Sequence, residues 1–109
     1  MNQKTIKLND GTIVPLIGLG THKLLNPEVT VYEAIKAGVR LIDTGTRYRN
    51  EKEVGKGIKR ALDEGIVKRE ELIIIGKVWL DMRAGDYDPE NKYFREPKTT
   101  LKNTLEKFI

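Results

Sequence analysis

Apolar and polar positions alternate along KTIKLNDGTIV, residues 4–14, on either side of Asn9-Asp10-Gly11. Two short alternating segments around a turn tripeptide of this kind predict a β-hairpin, with Pro15 ending the pairing. LIGLGT, residues 16–21, reads as a buried strand. Asn26-Pro27 then starts a helix with proline at its first position, Val31, Ala34 and Ile35 mark one face, and Gly38 closes it.

The same succession repeats. VRLIDT, residues 39–44, is a short strand; Asn50 with Glu53 resembles a capping box; and Val54, Ile58, Ala61 and Leu62 form an apolar helical stripe that ends at Gly65. LIIIGKVW, residues 72–79, has the unbroken apolar run of a strand covered on both faces. A loop of about fifteen residues leads to Pro97, after which Leu101, Leu105, Phe108 and Ile109 share one face of a third helix. Strand-helix alternation with short connections predicts an α/β fold with a parallel sheet and right-handed crossovers. A dinucleotide-binding doubly wound sheet is the natural competitor. The turn GLGTHKLLNP supplies Gly18 and Gly20, but no helix begins where the third glycine of G-x-G-x-x-G belongs, and no P-loop lysine motif is present.

Composition narrows the function. The chain has 109 residues, 39% hydrophobic and 33% charged, as in a globular protein, and its first residues lack a signal-peptide core. Apolar runs such as Leu72–Ile75 are too short to span a bilayer, so no membrane partner and a cytoplasmic location are expected. With no cysteine and one histidine, His22, no metal site is expected. The net charge of +4 comes from lysines and arginines that alternate with acids, as in EKEVGKGIKRALDEG. Mixed charge is the mark of a solvated helix face, and no nucleic-acid partner is expected.

Three polar residues fall where parallel strands deliver chemistry, at strand C-terminal ends and the loops beyond: Asp43 ending the second strand, Tyr48 in its loop, and Lys77 near the end of the third. A tyrosine loses its proton near pH ~10, and a nearby cation favours its phenolate. Desolvation drives a lysine toward neutrality, and a carboxylate opposes that. Together the three form a general acid able to protonate a carbonyl oxygen as hydride reaches the carbon. Singly, Asp43 reads as a turn cap, Tyr48 as loop packing and Lys77 as a surface charge.

The surrounding sequence, GVRLIDTGTRYRNEKEVGKGIKRAL followed by VKREELIIIGKVW, resembles the aldo-keto reductase family, as does DGTIVPLIGLGTHK upstream. That family sets an aspartate, a tyrosine two residues before Asn-Glu, and a lysine in a Lys-Val-Trp strand as catalytic residues, which correspond to Asp43, Tyr48 and Lys77. The resemblance implies the N-terminal portion of a (β/α)8 TIM barrel in one partial domain: a hairpin over residues 1–15 and about three βα units over 16–109. It implies NADPH, with NADH not excluded, as cofactor; Gly20, Thr21, His22, Lys23 and Asp43 as cofactor contacts; and His22, Tyr48 and Trp79 on the substrate side, against a small-molecule carbonyl. The departures are Val39, Gly45, Arg49 and His22, where the family usually has an aromatic, Ala or Ser, Gly, and an aromatic respectively. His22 stays open between an exposed loop residue and a pocket wall. Tyr87, Tyr93 and Phe94 stay open between lining a pocket and anchoring a loop.

A complete barrel needs about 250 residues. The family's fourth catalytic residue, a histidine after the fourth strand, and its loops for the 2′-phosphate, pyrophosphate and adenosine lie outside these 109 residues. The expectation is therefore a chain that alone binds cofactor weakly and is inactive. With the LIIIGKVW edge open it should be partly unfolded, aggregate or self-associate. The alternatives are a noncatalytic interaction module and half of a split reductase completed by another chain.

Overall fold

The computed structural model describes residues 4–77 together with Leu105, Glu106 and Phe108. A hairpin comes first, β1 (Thr5–Lys7) and β2 (Ile13–Pro15), antiparallel with Thr5 opposite Pro15 and Lys7 opposite Ile13. The Gly11 amide donates to the Leu8 carbonyl at 3.0 Å and the Asp10 carboxylate accepts from the Thr12 amide at 2.9 Å, which closes the turn. Pairing does not stop at Pro15: the Leu16 amide donates to the Lys4 carbonyl one step further on.

Two βα units follow, and a further strand. They comprise β3 (Leu19–Gly20), α1 (Pro27–Lys36), β4 (Leu41–Asp43), α2 (Glu51–Asp63) and β5 (Ile73–Ile75). The sheet order is β3-β4-β5, parallel throughout, with Leu19 opposite Ile42, Ile42 opposite Ile74, and Asp43 opposite Ile75. Pro27 opens α1 as expected, since its missing amide hydrogen has no intrahelical partner to lose. Gly38 at φ 114° and Gly65 at φ 72° turn the chain out of the two helices in a conformation that side chains with a Cβ resist.

The core is one cluster in which Val31, Tyr32 and Ile35 of α1 meet Val54, Ile58 and Ala61 of α2 over Ile42, joined by Val67, Leu72 and Phe108. The helical stripes are the expected ones except that Ala34 is half-buried outside the cluster and Leu62 is partly buried at its margin. Tyr32 was not among the expected core positions. Its ring lies under the Arg60 guanidinium at 3.7 Å, and its hydroxyl donates to Glu64 Oε1 at 2.7 Å, so an aromatic body packs while its polar tip meets an exposed carboxylate. Gly57 allows the helices to meet closely: a Cβ there would stand 2.5 Å from the Glu28 carbonyl oxygen.

Both helices pack together over Ile42 on one side of the sheet. The strands differ from expectation. LIGLGT yields only a two-residue strand, Leu19–Gly20, and Ile17 ahead of it is 78% exposed. β4 and β5 are likewise three residues each, shorter than VRLIDT and LIIIGKVW. Of the third helix, Leu105, Glu106 and Phe108 are helical; Phe108 enters the core, and its carbonyl accepts from Arg69 Nε at 3.0 Å. Leu105, expected on the same face, is 47% exposed. Leu101 and Ile109 lie outside the described residues, as do Trp79, Tyr87, Tyr93 and Phe94.

Candidate active site

In a parallel sheet every strand delivers its C-terminal residues to the same edge, so Thr21, Asp43 and Lys77 arrive together although they are far apart in sequence. Backbone hydrogen bonds extend the ladder past the strands: the Thr21 amide donates to the Asp43 carbonyl, the Thr44 amide to the Ile75 carbonyl, and the Thr46 amide to the Lys77 carbonyl. Beyond β4 the chain makes a single 3₁₀ turn, Thr46–Tyr48, which swings Tyr48 back over the strand ends and exits through Arg49 at φ 58°.

Lys77 Nζ donates to both oxygens of Asp43, at 2.7 and 2.8 Å, and stands 5.0 Å from the centroid of the Tyr48 ring. The structure therefore brings together the three residues that the sequence singles out. Burial of Lys77 works to lower its pKa, but hydrogen bonds to Asp43 and Tyr48 outweigh this, and the ammonium is held above the ordinary lysine range. The ion pair remains open to solvent, with side-chain exposures of 43% for Lys77 and 42% for Asp43.

The surroundings hold these groups by their backbones. Thr21 is fully buried, and its hydroxyl and amide both donate to the Asp43 carbonyl, the hydroxyl at 2.9 Å. Thr46 does the same for Lys77, with its hydroxyl donating to the Lys77 carbonyl at 3.1 Å. Gly45 lies beneath the lysine stem; a Cβ there would approach Lys77 Cε to 3.2 Å and Tyr48 Cζ to 3.6 Å. Thr46 escaped the sequence reading because a threonine three residues past a strand carries no signal without its partner 31 residues away.

Asn50 corrects an expectation. Its side chain makes no cap bond to α2, so the capping box with Glu53 does not form. Instead Nδ2 donates to the Thr21 carbonyl at 2.7 Å, fastening the start of α2 to the loop after β3. This tie takes the side chain away from the helix amides, and its Oδ1, like the Thr44 hydroxyl oxygen, is buried without a hydrogen-bond partner. His22 follows Thr21. It is exposed, as one reading had it, and its ring also packs on Tyr48, with centroids 4.7 Å apart and planes 30° apart. Lys23 beside it holds φ 59°.

A cavity of about 380 Å³ lies at the opposite, N-terminal end of the strands, lined by Thr5, Ile13, Pro15, Arg40, Glu70 and Ile73 among others, and takes no part in this chemistry. Among the described residues no group of three or more histidines, cysteines or acids is placed to hold a metal, and no helix is long and apolar enough to cross a membrane.

Residues 17–106 match the model of the aldo/keto reductase family. The chain is 48% identical over 102 residues to an NAD(P)H-dependent D-xylose reductase of Candida tenuis, covering 92% of this chain and 29% of that protein. It is 55% identical over 76 residues to an NADH-dependent D-xylose reductase of Candida parapsilosis, covering 68% and 24%. The fold superimposes on the crystal structure of a Bombyx mori aldo-keto reductase in complex with NADP with a TM-score of 0.80 at 36% identity, covering 99% of this chain and 35% of that one. The chain thus spans about a third of the length of the relatives it matches or less, and its hairpin and βα units are the N-terminal portion of the barrel. With the family pattern running through β3, β4 and β5, the chain belongs to the aldo/keto reductase family.

Proposed function

We propose that this chain contributes the proton-donating part of an NAD(P)H-dependent reductase that converts aldehydes or ketones to alcohols. The observation that supports this most is the Lys77 ammonium, bound to both Asp43 oxygens and set against the Tyr48 ring. In this reading Tyr48 donates its hydroxyl proton to the carbonyl oxygen, Lys77 offsets the negative charge that develops on the phenol oxygen, and Asp43 keeps Lys77 charged. A bound NADPH supplies the hydride that adds to the carbonyl carbon.

The residues at hand fit a nicotinamide group. A Cβ at Gly20 would meet nothing within 4 Å, so the end of β3 is open to a flat ring. The Asp43 carboxylate, paired in register with Gly20 and partly exposed, offers an acceptor beside it. Gly20, His22, Lys23 and Asp43 would hold that end of the cofactor. Thr21, with its hydroxyl and carbonyl already engaged, would act by fixing the loop. Trp79 is assigned to the substrate side on the family pattern alone.

The exposed Ile75 at the end of β5, uncovered by described residues, supports a second element of the reading. Activity belongs to a barrel completed by further strands, in the same polypeptide or in another chain. The test is to supply residues corresponding to the fourth through eighth strands, by fusion or by co-expression, and follow carbonyl-dependent NADPH oxidation. Tyr48→Phe should lower the rate by roughly 10²–10⁴-fold, the span of general acid catalysis, and Lys77→Met should be nearly as damaging. Full activity in either variant refutes the assigned role.

A further inference from the structure

Two threonines repeat one device at neighbouring strand ends. After β3, the Thr21 amide and hydroxyl both donate to the carbonyl of Asp43 on β4, at 3.1 and 2.9 Å. One strand further, the Thr46 amide and hydroxyl both donate to the carbonyl of Lys77 beyond β5, each at 3.1 Å. A carbonyl oxygen has two lone pairs, so one threonine can occupy both and fix the orientation of that peptide as well as its distance. In each case the gripped carbonyl belongs to a member of the Asp43, Tyr48 and Lys77 trio.

The second grip bears more. Asp43 lies within a strand, in register with Gly20 on one side and Ile75 on the other. Lys77 lies two residues past the end of β5, where a ladder meets solvent and frays. The Lys77 ammonium meets Asp43 directly at 2.7 and 2.8 Å, and its flexible four-carbon stem can follow small movements of the backbone. Its relation to Tyr48, 5.0 Å to the ring centroid, depends on where the 3₁₀ turn sits. Thr46 opens that turn two residues before Tyr48, and its two bonds join the turn of the acid to the segment of the cation. The far end is tied elsewhere, since Asn50 donates to the Thr21 carbonyl.

We propose that Thr46 is a positioning residue: by gripping the Lys77 carbonyl with its hydroxyl as well as its amide, it makes the turn carrying Tyr48 and the segment carrying Lys77 move as one body. This rests on the reading of Tyr48 as the acid and Lys77 as the cation that offsets charge on its oxygen. Such groups work only within hydrogen-bond reach, and a misplacement of about 1 Å can cost roughly 10²-fold in rate. Thr46 acts through the placement of Lys77 against Tyr48 and touches no reacting atom itself. A residue that served only to extend the ladder would need its amide alone, which anything but proline supplies.

Thr46→Val keeps the branched shape and the amide bond and removes the hydroxyl, while Thr46→Ser keeps the hydroxyl. The experiment is the ¹³Cε NMR titration of Lys77 in the full 109-residue chain, its resonance identified through Lys77→Arg. Bonds to Asp43 and Tyr48 hold the ammonium above the ordinary lysine range. Thr46→Val should shift the titration down toward the ordinary ~10.4, and Thr46→Ser should restore it. In a Tyr48→Phe background the shift should shrink, because the contact that Thr46 protects is already gone. An unchanged titration in Thr46→Val overturns the proposal, as does a shift that serine fails to restore or that persists in full without the Tyr48 hydroxyl. The core methyl resonances of Val54 and Ile58 should stay in place; movement there would make Thr46 a residue of the fold and overturn the proposal as well. Failure of the underlying reading looks different. Lys77 of the unaltered chain would then titrate with the exposed lysines before any change at Thr46, and the proposal would fall with it.

Discussion

Gly57→Ala tests how closely the fold is built, because two effects oppose each other in sign. Alanine is the better helix former, by roughly 0.5–1 kcal/mol in a helix interior. Against that, the new Cβ would lie 2.5 Å from the Glu28 carbonyl oxygen, 3.0 Å from Val31 Cβ and 3.2 Å from the Tyr32 amide nitrogen. A carbon and a carbonyl oxygen in contact rest at roughly 3.3 Å, so α1 has to withdraw by about 0.8 Å. The obstructing atom is backbone and has no rotamer to change. A gap of that size forfeits about a quarter to a half of each dispersion contact it opens, here those of Val31, Tyr32 and Ile35 with Val54, Ile58 and Ala61. Overpacking of this kind costs about 1–3 kcal/mol. The net is a loss of about 1–2 kcal/mol, equivalent to a 5- to 30-fold change in the opening equilibrium. Amide hydrogen exchange at Val31, Ile35, Val54 and Ile58 reads that equilibrium locally. Protection should fall in both helices by this factor. Unchanged or increased protection would show that helix propensity prevails and that the close approach of α1 to α2 is not the constraint described.

Three other outcomes follow. Hydrogen bonding from Tyr32 lowers the pKa of Glu64, so the stability this contact contributes is present above the ordinary glutamate range and is lost as pH falls through the lowered value; Glu64→Gln should flatten the acid limb of a stability-pH curve below about pH 4.3. The same contact raises the pKa of Tyr32, and its contribution disappears as pH climbs through that raised value, so Tyr32→Phe should flatten the alkaline limb instead. Asn50→Ala removes the donor that satisfies the Thr21 carbonyl but also removes a buried, unpartnered oxygen, and should cost about 1 kcal/mol, seen as faster exchange at Thr21 and at the first turn of α2.

What the sequence conveyed, and what it did not, follows from the range of the interactions concerned. Period-3.6 stripes and the Pro27, Gly38 and Gly65 signals act within a few residues, and they located both helices and the faces they bury. The catalytic trio was legible as a family pattern, because β4 and β5 are parallel neighbours whose ends carry Asp43 and Lys77 to one edge. The Asn50 capping box was misread because a local helix bond and a bond to a residue 29 positions away compete for the same side chain, and only the tertiary arrangement decides between them. Leu16 and Ile17 read as buried from their hydrophobicity, but the strand begins only at Leu19 and both stay exposed among the described residues.

The central claim is that Asp43, Tyr48 and Lys77 form one electrostatic unit, and the titration of the Lys77 ammonium tests it most directly. Lysine ¹³Cε NMR of the full chain, with Lys77 identified through Lys77→Arg, measures it. Burial pulls the ammonium down while its bonds to Asp43 and Tyr48 push it up further, so Lys77 should titrate above the ordinary ~10.4. Asp43→Asn should move that titration down, since burial then acts with less opposition. A Lys77 that titrates with the exposed lysines, and does so equally in Asp43→Asn, would contradict the account.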